Sequence, residues 1–335
     1  MTRILISGLG SIGRRHLKNL VQLGQQDIVL HRSGRSTLPA DDLEQFESES
    51  DLARALERWR PDAVLVTNPT ALHLEVAIPA AQAGCQLFIE KPISHSTHGI
   101  DDLDAALKSG GGQALIGYHF RFNPGLRAIK EWLREGVIGR PLSARVYWGE
   151  YLPDWHPWED YRTSYSARSD LGGGVVRTLS HPFDYLRWLL GEISEVQAMT
   201  ANSGNLGIDV EDTASIVMGL DQGLIANIQL DYLRRPPAHS LEIVGTEGTL
   251  GWDGSNGHAR WYDPKDDRWN ELPPPAGFER NAMFMDEMRH FLALIAGEEE
   301  PACGLTDGIR VMEIVEAVHE SARVGSKVAL LRVEA

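Results

Sequence analysis

Cysteine is nearly missing from this chain: 335 residues contain two, Cys85 and Cys303, and no Cys-x-x-Cys pair. That sets aside a disulfide framework and a thiolate metal cage, and no metal site is expected. No run of roughly 18 apolar residues occurs, so nothing is expected to span a membrane. Positive charge is also short, with 32 Lys and Arg against 47 Asp and Glu and a formal charge of −15. Without a basic stripe there is nothing to displace counterions from a nucleic-acid backbone, although one or two local cations suffice for a small anion. The start, Met1-Thr2-Arg3, runs straight into Ile4-Leu5-Ile6 and glycines without a long apolar leader segment. What is present is an ordinary globular balance, 42% hydrophobic and 24% charged. The length suits about two domains at ~150 residues each. The expectation is a soluble cytoplasmic protein with neither a nucleic-acid nor a membrane partner.

The first 120 residues alternate short apolar runs with helical patterns. Arg3–Ser7, Asp27–His31, Ala63–Thr67, Leu87–Glu90 and Gln113–Gly117 read as strands. Ile12–Leu23, Asp51–Trp59, His73–Ala83 and Thr97–Lys108 read as helices, with Pro79 expected to kink the third or shift its start. Such repetition predicts a parallel sheet, because parallel neighbours need crossover connections. Asn123-Pro124 opens a further helix, Asn as cap and Pro in the first turn. Past residue 140 the pattern changes to strands with few helices between them: Ser143–Glu150, Glu195–Ala201, Asp212–Leu220, Leu224–Tyr232 and Ser240–Gly245. Leu224, Ala226, Ile228, Leu230 and Tyr232 alternate with Ile225 and polar residues, which predicts an antiparallel sheet covered on one face. Asn281–Ala296 and Asp307–Arg323 are amphipathic helices. The expected fold is an α/β domain with a parallel sheet (1–122), followed by an α+β domain with a mainly antiparallel sheet.

Gly8-Leu9-Gly10-Ser11-Ile12-Gly13 follows the first strand and opens the first helix. Gly8 suits a tight turn, Gly10 close approach of a pyrophosphate, and Gly13 close helix packing, while the amides from Ser11 and Ile12 onward face the anion. An acidic residue after the second strand would favour NAD. Here that segment reads His31-Arg32-Ser33-Gly34-Arg35-Ser36, and Arg32, Ser33 and Arg35 suit a 2′-phosphate, so NADP(H) is favoured over NAD(H).

Together, Gly8–Gly13, Thr67-Asn68-Pro69-Thr70-Ala71-Leu72-His73, Glu90-Lys91-Pro92 and Gly172-Gly173-Gly174 leading to His181 resemble the Gfo/Idh/MocA oxidoreductases, the family of glucose–fructose oxidoreductase and inositol dehydrogenase. The resemblance runs over essentially the whole chain. It implies an α/β Rossmann domain (1–122), an α+β substrate and oligomerisation domain (123–304) with an open-faced, mainly antiparallel sheet, and a return helix and strand (305–335) packing near the first domain. It also implies hydride transfer between nicotinamide and a sugar, cyclitol or related hydroxyl carbon, and it makes Lys91 the central catalytic residue. A lysine at the carboxyl end of a parallel strand faces the ligand crevice and can stabilise alkoxide charge. Asn68, Pro69, His73 and Glu90 would line the cofactor side, although helix capping or packing explains His73 equally well. His181 matches the family's catalytic histidine, and Asp184 lies three residues on; if Ser180 caps that helix, His181, Asp184 and Tyr185 share a face. The Asp usually found three or four residues before the His is replaced here by Thr178 and Arg177. Asp184 or Asp170 takes its place, Lys91 and His181 act alone, or catalysis is altered.

Tyr118, His119, Arg121 and Asn123 follow the carboxyl end of the fifth strand and are expected to face the crevice, with Tyr118, Arg121 and His181 on the substrate. Trp155, Trp158, Arg162, Tyr165 and Arg168 lie in an aromatic, Pro-containing loop, a composition that suits polyol recognition and equally a packed cluster. With Arg121, Arg162 and Arg168 at hand, an acidic or nucleotide-linked sugar is one substrate class. Two other readings stay open: an NAD-dependent glycoside hydrolase on the same scaffold and a non-catalytic nucleotide-binding homologue. The resemblance also implies a homo-oligomer formed through the C-terminal sheet, while the polar outer face of Leu224–Tyr232 leaves a monomer open.

Overall fold

The computed structural model describes residues 2–32, Gly34 and 41–331. Ser33 and Arg35 of the expected cofactor segment lie outside the described residues. In chain order the elements begin β1 (Ile4–Ser7), α1 (Ser11–Gln22), β2 (Ile28–His31), β3 (Glu47–Glu49), α2 (Leu52–Trp59) and β4 (Ala63–Val66). Next come α3 (His73–Gln82), β5 (Gln86–Ile89), α4 (Ile100–Gly110), β6 (Ala114–Ile116), α5 (Pro124–Arg134) and β7 (Pro141–Gly149). Then follow α6 (Val175–Thr178), α7 (His181–Leu190), β8 (Ile193–Ala201), β9 (Thr213–Leu220), β10 (Ile225–Asp231) and β11 (Ala238–Gly245). The chain closes with β12 (Thr249–Asp253), β13 (His258–Asp263), β14 (Arg268–Leu272), α8 (Arg280–Ile295), α9 (Leu305–Val324) and β15 (Val328–Ala329).

These elements divide into two compact units. The first takes in residues up to His119, Asp170–Gly172 and Arg280–Met312. Its six-stranded sheet has the order β3-β2-β1-β4-β5-β6 with every pairing parallel. Strands covered by helices on both faces read as unbroken apolar runs, and Ile4, Leu5, Ile6, Val64, Leu65, Val66, Leu87, Phe88 and Ile89 are all buried. The strand order reverses between β1 and β4, the place where such sheets bind ligands at their carboxyl edge. Pro79 sits inside α3 without ending it, and a 3-10 turn at Thr70–Leu72 precedes the helix. Gly99, in a left-handed conformation, delays α4 to Ile100 from the expected Thr97.

From sequence, α8 belonged to the substrate domain, whereas in the structure it clusters with the first unit. The cause is its packing on α1: Asn281 Nδ2 donates to Asn19 Oδ1 at 3.0 Å, and the rings of His16 and Phe284 lie 6.0 Å apart edge to face. Phe291 of the same helix meets Phe88 of β5 at 5.7 Å.

The second unit holds Phe120–Ser169, Gly173–Glu279 and the residues from Glu313 onward. Its nine-stranded sheet runs β14-β13-β12-β11-β7-β10-β9-β8-β15, antiparallel except where β7 pairs β10 in parallel. Leu224, Ala226, Ile228, Leu230 and Tyr232 are buried, while Ile225, Val217 and Met199 stand exposed on the other face. Asn123 caps α5, its Oδ1 accepting the amides of Gly125 and Leu126 at 3.0 and 3.1 Å, with Pro124 in the first turn as the sequence predicts.

Candidate functional site

The turn after β1 is built around a missing Cβ at each of its glycines but one. Gly8 has φ of +96°, and a Cβ there would stand 2.4 Å from the Asn68 amide nitrogen. At Gly13 a Cβ would meet the Gly8 carbonyl oxygen at 2.0 Å and Thr67 Oγ1 at 2.7 Å. Thr67 Oγ1 itself hydrogen-bonds to the carbonyl oxygens of Ser7 and Gly8 at 3.0 and 2.6 Å, locking the ends of β1 and β4 together. Gly10 differs, because no atom lies within 4 Å of its added Cβ. That open space caps the start of α1, where no side chain caps the helix and no acidic residue occupies the first turn. The amides of Ser11, Ile12 and Gly13 precede the first helical hydrogen bond, Arg14 N–H to Gly10 O. Unbonded amides on the positive end of a helix dipole, with room above them, fit the pyrophosphate of a dinucleotide.

At the end of β2, His31 Nδ1 lies 2.8 Å from Ser7 Oγ, and the Arg32 amide donates to Glu49 O at 2.9 Å. A carboxylate therefore reaches this edge from β3, the neighbouring strand. Glu49 Oε1 accepts the amides of Ser50 and Asp51 at 2.9 and 3.3 Å, and these bonds hold its carboxyl below the usual range.

His73 is fully buried and clamps two loops: Nε2 lies 2.9 Å from Asn68 O and Nδ1 3.0 Å from Pro92 O. Burial lowers its pKa. The ring ties the loop after β4 to the corner after β5, which makes it a fastener for Asn68 and for the Glu90–Lys91–Pro92 segment. Within that corner Glu90 spends both oxygens: Oε1 lies 2.7 Å from His16 Nε2, and Oε2 accepts the Lys91 amide at 3.1 Å. The peptide joining Lys91 to Pro92 is cis. Lys91 is half-buried, and its charge reaches His119, which stacks on Phe284 with centroids 4.1 Å apart. Burial, then Arg280, Lys91, Arg15 and His16, push His119 well below the ordinary histidine value, so its ring is neutral. Tyr118 beside it is buried.

In the second unit, His181 is the first residue of α7 and is buried, with its ring edge-to-face against Phe120 at 4.8 Å. The Ser180 side chain does not cap that helix. Asp184 and Arg121, read from sequence as a catalytic and a substrate residue, face each other in a buried fork, Nη2 to Oδ1 at 2.6 Å. Tyr185 shares α7 with His181 and Asp184, and hydrogen-bonds His239 at 3.1 Å.

Arg177 occupies the place where the resemblance expects an Asp. Burial lowers its pKa, and the charges of Glu211 and Glu316 oppose that shift. Sequence reasoning missed Glu211, which comes to this turn from far along the chain. It accepts the Val176 amide at 3.2 Å, lies 3.3 Å from His319 Nε2, and would collide with any Cβ on Gly174. A carboxylate thus stands at α6 after all, contributed by tertiary structure.

The aromatic loop is a string of 3-10 turns. Trp155 packs edge-on against Tyr232 at 5.4 Å, whereas Trp158 is 60% exposed. Tyr165 is half-buried, and Arg162 and Arg168 are exposed, with Arg162 lying over the Tyr161 ring.

Among the described residues no group of His, Cys, Asp and Glu is arranged to hold a metal, and no helix is long and apolar enough to cross a membrane. Comparison with known proteins agrees with the geometry of the glycine turn. D-apiose dehydrogenase of Paraburkholderia graminis is 26% identical over 297 residues, covering 85% of this chain and 77% of that protein. Myo-inositol 2-dehydrogenase of Thermotoga maritima is 26% identical over 324 residues, covering 91% of this chain and 92% of that one. A structure of levoglucosan dehydrogenase in complex with NADH superposes with a TM-score of 0.88 at 22% identity, covering 99% and 100% of the two chains, and it shows a common fold. Residues 2–118 match the oxidoreductase family model with the NAD-binding Rossmann fold, and residues 126–251 match the GFO/IDH/MocA C-terminal domain. The chain therefore belongs to the GFO/IDH/MocA family of NAD-binding oxidoreductases.

Proposed function

We propose that this protein transfers hydride between nicotinamide and a hydroxyl or keto carbon of a sugar, acidic sugar or cyclitol, with Lys91 and His181 as its acid–base groups. When bound, the dinucleotide supplies the hydride acceptor or donor. The Gly8–Gly13 turn and the first amides of α1 hold its pyrophosphate. Lys91 steadies the reacting oxygen with its ammonium, and His181 takes or gives the proton. Asp184 acts through its ion pair with Arg121, keeping the first turn of α7 and the chain around Phe120 in place. Trp155, Trp158, Tyr165, Arg162 and Arg168 serve the sugar side.

The observation that carries this reading is the Glu90–Lys91 corner. A lysine at the carboxyl end of β5 has its backbone amide held by Glu90, which is itself held by a buried histidine. The names of the relatives, an apiose and an inositol dehydrogenase, support a polyol substrate. The test is a panel of sugars, uronic acids and cyclitols with each cofactor. Stoichiometric appearance or loss of reduced nicotinamide absorbance supports the reading. Sugar release without net absorbance change would instead support the hydrolase reading.

For the cofactor, Arg32 and the neighbouring Ser33 and Arg35 support NADP(H), while the self-capped Glu49 leaves NAD(H) as the competing choice. The apolar side chains of Met199, Val217 and Ile225, exposed on the outer face of the second sheet, support pairing of two copies there. Light scattering of Ile225→Lys against the parent checks that pairing.

A further inference from the structure

Glu287 lies on α8, three residues past Phe284, and its exposure is 0%. Neither carboxyl oxygen has a hydrogen-bond partner among the described residues. The charge that acts on it is that of Glu90, whose two oxygens are already taken by His16 and by the Lys91 amide. The other ionisable groups around this cluster are Arg15 and His16 on α1, Lys91 after β5, His119 after β6 and Arg280 at the start of α8. None of them donates a hydrogen bond to Glu287. A carboxylate removed from water without a donor, beside a second carboxylate, costs far more than binding a proton. His16 adds another unmet atom, since its Nδ1 is buried and has no partner among the described residues.

We propose that Glu287 is a positioning residue for Lys91: it remains protonated at neutral pH, and this lets Glu90 keep His16 on one oxygen and the Lys91 amide on the other. The proposal rests on the reading of Lys91 as the catalytic lysine. Burial, followed by repulsion from Glu90, raises the Glu287 pKa well above the usual carboxylate value. Ionising it would set two negative charges against each other away from water. Repulsion would then drive Glu90 from its partners, and the hold on the Lys91 amide would weaken. Activity should therefore carry an alkaline decline that belongs to Glu287.

Glu287→Gln in the full chain keeps the shape and removes the titration. Because the folded value lies above the unfolded one, the stability that Glu287 contributes is whole below the unfolded carboxylate range. It is lost as pH rises toward the folded value. Within that window the folding constant of the parent should fall relative to Glu287→Gln by up to about tenfold per pH unit. Urea midpoints measured from about pH 5 to about pH 8 read this difference. A gap that widens in favour of Gln as pH rises supports the protonated carboxyl, and a gap that is constant or narrows overturns it.

The pH profile of kcat is the second readout. In Glu287→Gln the alkaline limb should move up in pH, and an unmoved limb overturns the positioning role. If the variant does not fold, infrared spectra of parent protein carrying carboxyl-labelled Glu decide: a protonated carbonyl band at neutral pH supports the proposal, and carboxylate bands alone overturn it. The stability gap does not depend on catalysis. A widening gap together with a fully active Lys91→Met variant would sink the catalytic reading and leave the protonation intact. A flat gap with an inactive Lys91→Met would do the reverse.

Discussion

Arg121 grips Asp184 with two nitrogens: Nε lies 3.1 and 3.0 Å from the carboxylate oxygens and Nη2 2.6 Å from Oδ1. The side chains are 6% and 1% exposed, so both charges are held away from water and depend on each other. Removing one member of a buried ion pair costs about 3–5 kcal/mol, while replacing both with apolar groups costs much less. Arg121→Ala should therefore lower stability by about that amount, and Arg121→Met combined with Asp184→Leu should recover most of it. Chemical denaturation of the double-mutant cycle measures this. A loss below about 1 kcal/mol for Arg121→Ala would mean that the fork is exposed to solvent.

Two glycines of the same turn should fail differently. Gly8→Ala places a methyl group into the Asn68 backbone at a positive φ, so the variant should be unstable with or without cofactor. Gly10 has φ −74° and ψ −167°, ordinary for alanine, and empty space above it. Gly10→Ala should melt like the parent yet bind dinucleotide at least about tenfold more weakly, since the methyl group takes the room meant for pyrophosphate. Thermal melts and fluorescence titration with reduced cofactor separate the two effects. Undiminished affinity in Gly10→Ala would place the phosphates elsewhere.

Cofactor choice should turn on Arg32. A guanidinium paired with a 2′-phosphate contributes a charge-assisted bond, so Arg32→Ala should weaken NADP binding by about tenfold and leave NAD nearly unchanged. Titration of parent and variant with both dinucleotides reads this directly. Parent protein that binds NAD at least as tightly, with neither affinity altered in the variant, removes the phosphate argument.

Acid should destabilise the first unit through His73 and His119. Burial lowers both pKa values, and at His119 the neighbouring cations lower it further. Their contribution is complete above the ordinary histidine value of 6.5 and is lost as pH falls below it toward the folded values. This slope is opposite in sign to that of Glu287, so comparisons of single variants resolve the two. His119→Phe keeps a ring against Phe284, and its urea midpoint should fall less than the parent's between about pH 7 and about pH 5. An equal fall in both proteins would mean that His119 is solvated.

The fold was most legible where strands are covered on both faces. Ile4, Leu5 and Ile6 and the strand Ala63–Val66 are unbroken apolar runs, and β1 and β4 appear within a residue of their expected ends. By contrast β3 is Glu-Ser-Glu, held by the backbone of β2, and nothing in three polar residues announces a strand. The strands β12–β14 escaped notice for a related reason. They are short and rich in Trp, Tyr and charge, and their outer members are largely exposed, so no apolar alternation marks them.

In the candidate site, the glycine turn and Lys91 stand out in the sequence because the chemistry proposed for them demands particular residues at fixed spacing. The support behind Lys91 was not read, because His16 and Glu287 come from helices distant in sequence. One signal was available: Phe284, Met288 and Phe291 mark the buried stripe of α8, and Glu287, three residues after Phe284, lies on it. Glu211 offered no such signal, since only folding brings it to the amide of Val176.

The central claim is that Lys91 acts on the reacting oxygen, and single-turnover hydride transfer on protein preloaded with cofactor tests it most directly. Lys91→Met should bind dinucleotide as the parent does and transfer hydride to or from an active polyol about 10²–10⁴-fold more slowly. A Lys91→Met protein that transfers hydride at the parental rate would contradict the account.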